Sequence, residues 1–127
     1  MTTTALESAL KQKILIVEDE GEMCLVLNIL LNEEDFELEH VPDLQAATEY
    51  LKKNQPSLII LDNKLPDGFG IDYIGLVKKR YPTTKIIMIT GYDASAEDVA
   101  LEKGADIFLE KPFTKRQLFE SIKTLLS

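Results

Sequence analysis

Four short apolar runs, each closed by polar residues, constrain this chain more than any other feature. Ile14-Leu15-Ile16-Val17 runs into Glu18-Asp19-Glu20, Leu58-Ile59-Ile60-Leu61 into Asp62, and Ile86-Ile87-Met88-Ile89 into Thr90. Ile107-Phe108-Leu109 is followed by Glu110, Lys111 and Pro112. Short branched apolar runs between polar breaks fit strands covered on both faces. Laid side by side in one parallel sheet, they bring their polar ends to a single edge. That carboxyl edge is where open α/β sheets bind ligands. Carboxylates, a hydroxyl and an ammonium meeting there suit a divalent cation and a phosphoryl group.

The rest of the chain supplies the alternation such a sheet needs. Strands are expected near 13–17, 36–40, 57–62, 85–90 and 106–109, with helices near 21–33, 43–53, 69–80, 95–103 and 114–126. Apolar residues recur at helical spacing in Met23, Val26, Leu27 and Leu30, in Ala47, Tyr50 and Leu51, and in Leu118, Ile122 and Leu125. Asp43 and Thr114 read as N-caps, Asp67-Gly68 as a turn and Gly104 as a helix stop. Five βα units predict an α/β fold, a doubly wound five-stranded parallel sheet flanked by five helices. The third and fourth runs are continuously apolar and belong at its centre. Phe36-Glu37-Leu38-Glu39-His40 alternates and belongs at an edge. One domain is expected over 13–127, preceded by a flexible N-terminal extension over 1–12.

Charge and cysteine usage narrow the partners. The chain has 127 residues, enough for one core, and carries 14 basic against 22 acidic residues, a net charge of −8. That argues against a nucleic-acid surface and against an anionic membrane. Cys24 is the single cysteine, which excludes an internal disulfide and a cysteine-based zinc site. It is expected to sit on a helix, and a cytoplasmic location fits. No apolar run reaches the length of a membrane span, and Met1-Thr2-Thr3-Thr4 does not open like a signal peptide.

Glu18, Asp19 and Asp62 are the centre of the chemistry. One carboxylate just past a strand is often only a helix cap. Three at adjacent strand ends need another reason, because two carboxylates about 5 Å apart repel by roughly 3 kcal/mol at an effective dielectric near 20. A hard divalent cation, magnesium or calcium, relieves that repulsion. An aspartate can also attack phosphorus and form an aspartyl-phosphate, a role open to Asp62. Lys111 offers a compact positive charge to a phosphoryl oxygen and Thr90 a short hydroxyl donor.

At these residues the chain resembles a response-regulator receiver domain, the phosphoryl-accepting module of two-component signalling. The resemblance covers residues 13–126. It rests on Ile-Leu-Ile-Val-Glu18-Asp19, Leu-Ile-Ile-Leu-Asp62-x-x-Leu65-Pro66-Asp67-Gly68, Ile-Met-Ile-Thr90-Gly91 and Lys111-Pro112-Phe113. Each motif is weak alone, and all four in order are specific. The resemblance implies a flavodoxin-like sheet of order 2-1-3-4-5. It implies Asp62 as phosphoacceptor, and Mg2+ held by Asp19 and Asp62, by Glu18 largely through water, and by the Lys64 backbone carbonyl. Thr90 would be the switch hydroxyl and Lys111 the phosphate-pairing lysine, with a Lys111–Pro112 bond that is often cis in the family. The donor would be a sensor histidine kinase or a phosphotransfer protein. The signal would leave through the face of the fourth helix, fifth strand and fifth helix, toward an effector domain or a second copy. The fourth helix segment, 95–103, is short and has little apolar grip, which suits mobility. The domain would be a switch rather than an enzyme, catalysing at most its own phosphorylation and dephosphorylation.

Some positions depart from the family's commonest pattern. Glu18 stands where an aspartate is usual. Phe108 stands where many members carry a switch tyrosine, so the ring is kept and its hydroxyl is lost. Lys64 and Tyr92 occupy positions that border the hydrolytic water in the family, and a bulky Tyr92 is expected to shield the acyl phosphate. Other readings fare worse. An aspartyl-phosphate phosphatase needs Asp-x-Asp, but the chain has Asp62-Asn63-Lys64. In a flavin binder, Glu18-Asp19-Glu20 would repel the phosphate. No Gly-x-x-x-x-Gly-Lys loop is present for a nucleotide. The remaining alternative is a receiver-like binding module that works without phosphorylation.

Overall fold

Alternate residues of each strand face opposite sides of a sheet, so a strand that is apolar throughout must be covered twice. Three strands meet that condition. Leu15, Val17, Ile59, Leu61, Ile86 and Met88 join one core cluster, and Ile14, Ile16, Leu58, Ile60, Ile87 and Ile89 the other. Each such side chain, buried fully, contributes about 2 kcal/mol. The computed structural model describes residues 12–21, 25–26, 28–29, 36–91 and 96–126. Within them a five-stranded sheet is built from β1 (Gln12–Val17), β2 (Phe36–Val41), β3 (Leu58–Asp62), β4 (Lys85–Thr90) and β5 (Ile107–Glu110). Its order is β2-β1-β3-β4-β5 and every pairing is parallel, as expected. Glu37 and Glu39 of the edge strand β2 are exposed, which discourages pairing with another chain.

Helices cover both faces. The first cluster takes side chains from α1 (Leu44–Lys53), α2 (Gly70–Arg80) and α3 (Ala96–Lys103); the second takes Leu118 and Ile122 from α4 (Lys115–Leu126). Of the five expected helices, the described residues hold four continuous ones, and most of the remaining one, 21–33, lies outside them. Of the expected first helix, 21–33, only Leu25, Val26, Asn28 and Ile29 among the residues described there are helical. Cys24 and Tyr92 lie outside the described residues, as do residues 1–11 of the expected extension.

The helix ends follow local chemistry. Asp43 caps α1 by accepting from the Ala46 N–H at 2.8 Å. Thr114 and Gln117 form a reciprocal capping box at the start of α4, with bonds of 3.0 and 2.7 Å. Gly104, at φ 120°, ends α3: its N–H donates to the Leu101 carbonyl and that of Ala105 to the Ala100 carbonyl. Only Ala96 and Ala100 of α3 are buried, so its grip on the core is slight. The expected turn at Asp67-Gly68 is centred one residue earlier. Pro66 and Asp67 join two short antiparallel strands, Lys64–Leu65 and Gly68–Phe69.

Candidate functional site

Register places the strand ends. Val17 lies opposite Leu61, so Glu18 and Asp62 leave their strands at the same level. Asp62 lies opposite Ile89, and Thr90 opposite Glu110, with Lys111 directly after. A parallel sheet therefore delivers all of these residues to its carboxyl edge.

There an open cavity of about 370 Å³ is lined by Asp19, Glu20, Asp62, Lys64 and Lys111, with Leu65, Pro66 and Gly91. Lys111 Nζ donates to Asp62 Oδ2 at 3.4 Å, and the Asp62 side chain is 14% exposed. Glu18 is buried and borders an adjoining cavity of about 430 Å³ with Glu20, Lys111 and Phe113. Thr90 is buried beside Gly91, and its carbonyl accepts from the Lys111 N–H at 2.8 Å. Phe108 is half-buried and packs against the first core cluster. The Lys111–Pro112 peptide is cis, as the resemblance implies.

Asp19, Asp62, Lys64 and Lys111 thus share one cavity, whereas Glu18 and Thr90 stand behind or beside it. Among the described residues, no three His, Cys, Asp or Glu side chains are grouped closely enough to hold a metal ion. Such an open set fits magnesium, which keeps several waters and takes one or two carboxylates plus phosphate oxygens. It would not fit an ion that needs a closed protein cage.

The segment that follows Asp62 is held by residues whose roles sequence reasoning missed. The Asn63 N–H donates to the Ile89 carbonyl at 2.9 Å, and its carbonyl accepts from Gly70 N–H at 2.7 Å. The Asn63 side chain accepts from Ile71 N–H at 3.0 Å, capping α2, whose own N-cap residue Phe69 makes no side-chain cap bond. Gly70 packs tightly here: a Cβ would collide with the Asp62 carbonyl and lie 2.9 Å from Leu61 Cγ. The Asp67 carboxylate accepts from Leu44 N–H and Gln45 N–H, each at 2.9 Å. The Leu44 bond is the main reason its carboxyl titrates below the usual aspartate value. His40 Nε2 lies 2.7 Å from the Glu18 carbonyl oxygen. A helix cap is ordinarily sought next to its helix, and these caps lie elsewhere in the chain.

The family model "Response regulator receiver domain" matches residues 14–123. The chain is 34% identical over 117 residues to the response regulator protein PilR of Pseudomonas aeruginosa, covering 91% of this chain and 26% of that protein. It is 33% identical over 118 residues to the phosphate regulon transcriptional regulatory protein PhoB of Escherichia coli, covering 91% and 52%. The chain therefore spans only a quarter to a half of these relatives. A CheY-like response regulator receiver domain protein from Methanospirillum hungatei superposes with a TM-score of 0.82 at 30% identity, covering 90% of this chain and 92% of that one. The beryllofluoride-activated NtrC4 receiver domain dimer gives 0.82 at 32% identity, covering 89% and 94%. Among the described residues, no helix is long and apolar enough to cross a membrane. With the sheet order and the sheet edge in agreement, the chain belongs to the response-regulator receiver domains, the phosphoryl-accepting signalling modules of two-component systems.

Proposed function

We propose that Asp62 is the phosphoacceptor of this receiver domain. One observation carries the reading. Asp62 ends a central strand in an open cavity shared with Asp19, and among the described residues Lys111 is its carboxylate's one hydrogen-bond partner, at 3.4 Å. A carboxylate left this free can take a new bond. An Asp62 oxygen attacks phosphorus, a P–O bond forms, and the bond from phosphorus to the donor's histidine nitrogen breaks with its electron pair leaving on that nitrogen. Hydrolysis reverses the state: water adds to phosphorus, inorganic phosphate leaves and the carboxylate returns. Lys111 pairs with a phosphoryl oxygen, and Asp19, Asp62 and the Lys64 carbonyl hold Mg2+, with Glu18 acting through water. Bound there, Mg2+ neutralises charge on the phosphoryl oxygens and the carboxylates.

Thr90 is the switch hydroxyl, turning toward the phosphoryl group, and Phe108 follows it. The response is read on the face of α3, β5 and α4. There Ala96 and Ala100 are the buried residues of α3, while Val99 and Leu101 are exposed. A sensor histidine kinase or a phosphotransfer protein is the donor, and an effector domain or a second copy is the recipient. The domain itself binds neither nucleic acid nor a membrane, and its setting is cytoplasmic.

Intact mass after incubation with acetyl phosphate tests it, with and without Mg2+, on wild type and Asp62→Asn. A magnesium-dependent phosphoryl adduct is expected in wild type and absent in the variant. A wild-type protein that is folded, binds no beryllofluoride and forms no adduct would favour the phosphorylation-independent binding module.

A further inference from the structure

The strands that lead to the metal carboxylates pair directly, Val17 opposite Leu61, and past their ends one short segment grips the chain on both sides. On one side, the Glu18 N–H donates to the Val41 carbonyl at 3.1 Å and the Glu18 carbonyl faces His40 Nε2 at 2.7 Å. A carbonyl only accepts, so Nε2 carries the proton. Both backbone groups of Glu18 are thereby fixed to the end of β2, immediately before Asp19. On the other side, Leu44 N–H and Gln45 N–H hold the two Asp67 oxygens at 2.9 Å each, five positions after Asp62. Between the grips lies Asp43, which pins the first turn of α1 through Ala46 N–H at 2.8 Å.

We propose that the junction His40–Gln45 is a brace that sets the spacing of Asp19 and Asp62, with His40 and Asp67 as its positioning residues. The proposal rests on the reading of these carboxylates as the magnesium site. It gives a use to two polar side chains that do not line the cavity. Magnesium tolerates little departure from octahedral geometry, so a small change in carboxylate spacing is read directly as lost affinity. Histidine suits the first grip because Nε2 is rigidly placed at the far side of the ring. A carboxylate suits the second because two amides at a helix N-terminus present two donors to two oxygens.

The test is Mg2+ affinity by calorimetry on the whole chain, with amide spectra confirming the fold and urea unfolding run in parallel. His40→Ala and Asp67→Ala are each expected to weaken Mg2+ binding about tenfold. His40→Gln, which keeps an N–H donor near the Nε2 position, is expected to recover most of it. The double variant is expected to lose less than the product of the single losses, because either break releases the same brace. Wild-type affinity in both single variants, with only the urea midpoint lowered, would make them structural contacts and overturn the brace while leaving the metal reading intact. Strictly multiplicative losses would show two independent contacts and overturn it likewise. Absence of saturable Mg2+ binding already in wild type would overturn the metal reading itself, and the brace with it.

Discussion

A lysine–aspartate pair stands at each edge of the sheet, and the two are built differently. At the amino edge, Lys78 Nζ donates to Asp106 Oδ2 and to the Thr84 carbonyl, both at 2.8 Å. The same Asp106 oxygen also accepts from Ile86 N–H at 2.8 Å. Both side chains are largely covered, at 20% and 24% exposure. At the carboxyl edge, Lys111 reaches Asp62 only at 3.4 Å and is 43% exposed. The first pair ties α2, β4 and β5 together through three short bonds within the fold. The second leaves capacity unused, beside Asp19, whose carboxylate repels that of Asp62. A pair bonded and covered in this way adds to stability and offers little to a ligand. An unsaturated pair gives up stability and can bind one.

Damaging one pair at a time separates the two edges. Asp62→Asn is expected to abolish phosphoryl incorporation completely and to leave stability unchanged or raised by up to about 1 kcal/mol, since a repelling charge is removed. Asp106→Asn is expected to lower stability by about 2 kcal/mol, since the neutral amide leaves Lys78 without its ionic partner. It should still take up the phosphoryl group. Urea unfolding and intact mass on the same two proteins decide the matter. If Asp62→Asn proves the more destabilising, the carboxyl-edge pair is a structural lock as well.

Two glycines sharpen the same contrast with a smaller effect. Gly70 backs onto the Asp62 carbonyl, and Gly104, at φ 120°, has Lys78 Cγ 2.8 Å from where a Cβ would lie. Gly70→Ala is expected to cost about 1–3 kcal/mol and also to slow phosphorylation by acetyl phosphate, because the acceptor's own backbone must yield. Gly104→Ala is expected to cost about 1–2 kcal/mol with the phosphorylation rate unchanged, because its strain and its collision lie at the other edge. Equal slowing in both variants would mean that the edges are not mechanically separate.

How far the sequence could be read follows from the range of each interaction. The strands of the main sheet fall within one residue of their expected bounds, and for the three central ones the reason is that double-sided burial demands an unbroken apolar run. The helices α1 and α4 begin just after Asp43 and Thr114, because those caps act on N–H groups three residues away. The Lys64–Leu65 and Gly68–Phe69 hairpin escaped, since two-residue strands carry no period. Asn63, Asp67 and His40 escaped as positioning groups for a related reason. Their partners lie 8, 23 and 22 residues away in sequence, and only the closed fold makes them neighbours. The site's residue types were legible one by one. The separation of Glu18 from the Asp19 and Asp62 cavity was not, because it depends on which way the chain turns after Val17.

The smallest effect concerns Asp67 and its pH dependence. Its carboxyl is held below the usual aspartate value chiefly by the Leu44 N–H bond, with the Gln45 bond acting in the same direction. The folded state therefore binds that proton less readily than the unfolded chain does. The resulting stability is fully present above the unfolded value, about pH 4, and is lost as pH falls through the lower folded value. The group is fully exposed to solvent, so salt should screen the effect. Asp67→Asn is expected to be less stable than wild type at pH 6, by an amount that shrinks toward zero as both are acidified below pH 4. Unfolding free energies at a series of pH values check this. A gap that persists unchanged into acid would show that the bonds to Leu44 and Gln45 do not need the negative charge. The carboxyl edge would then be fastened by geometry alone, as the amino edge is not.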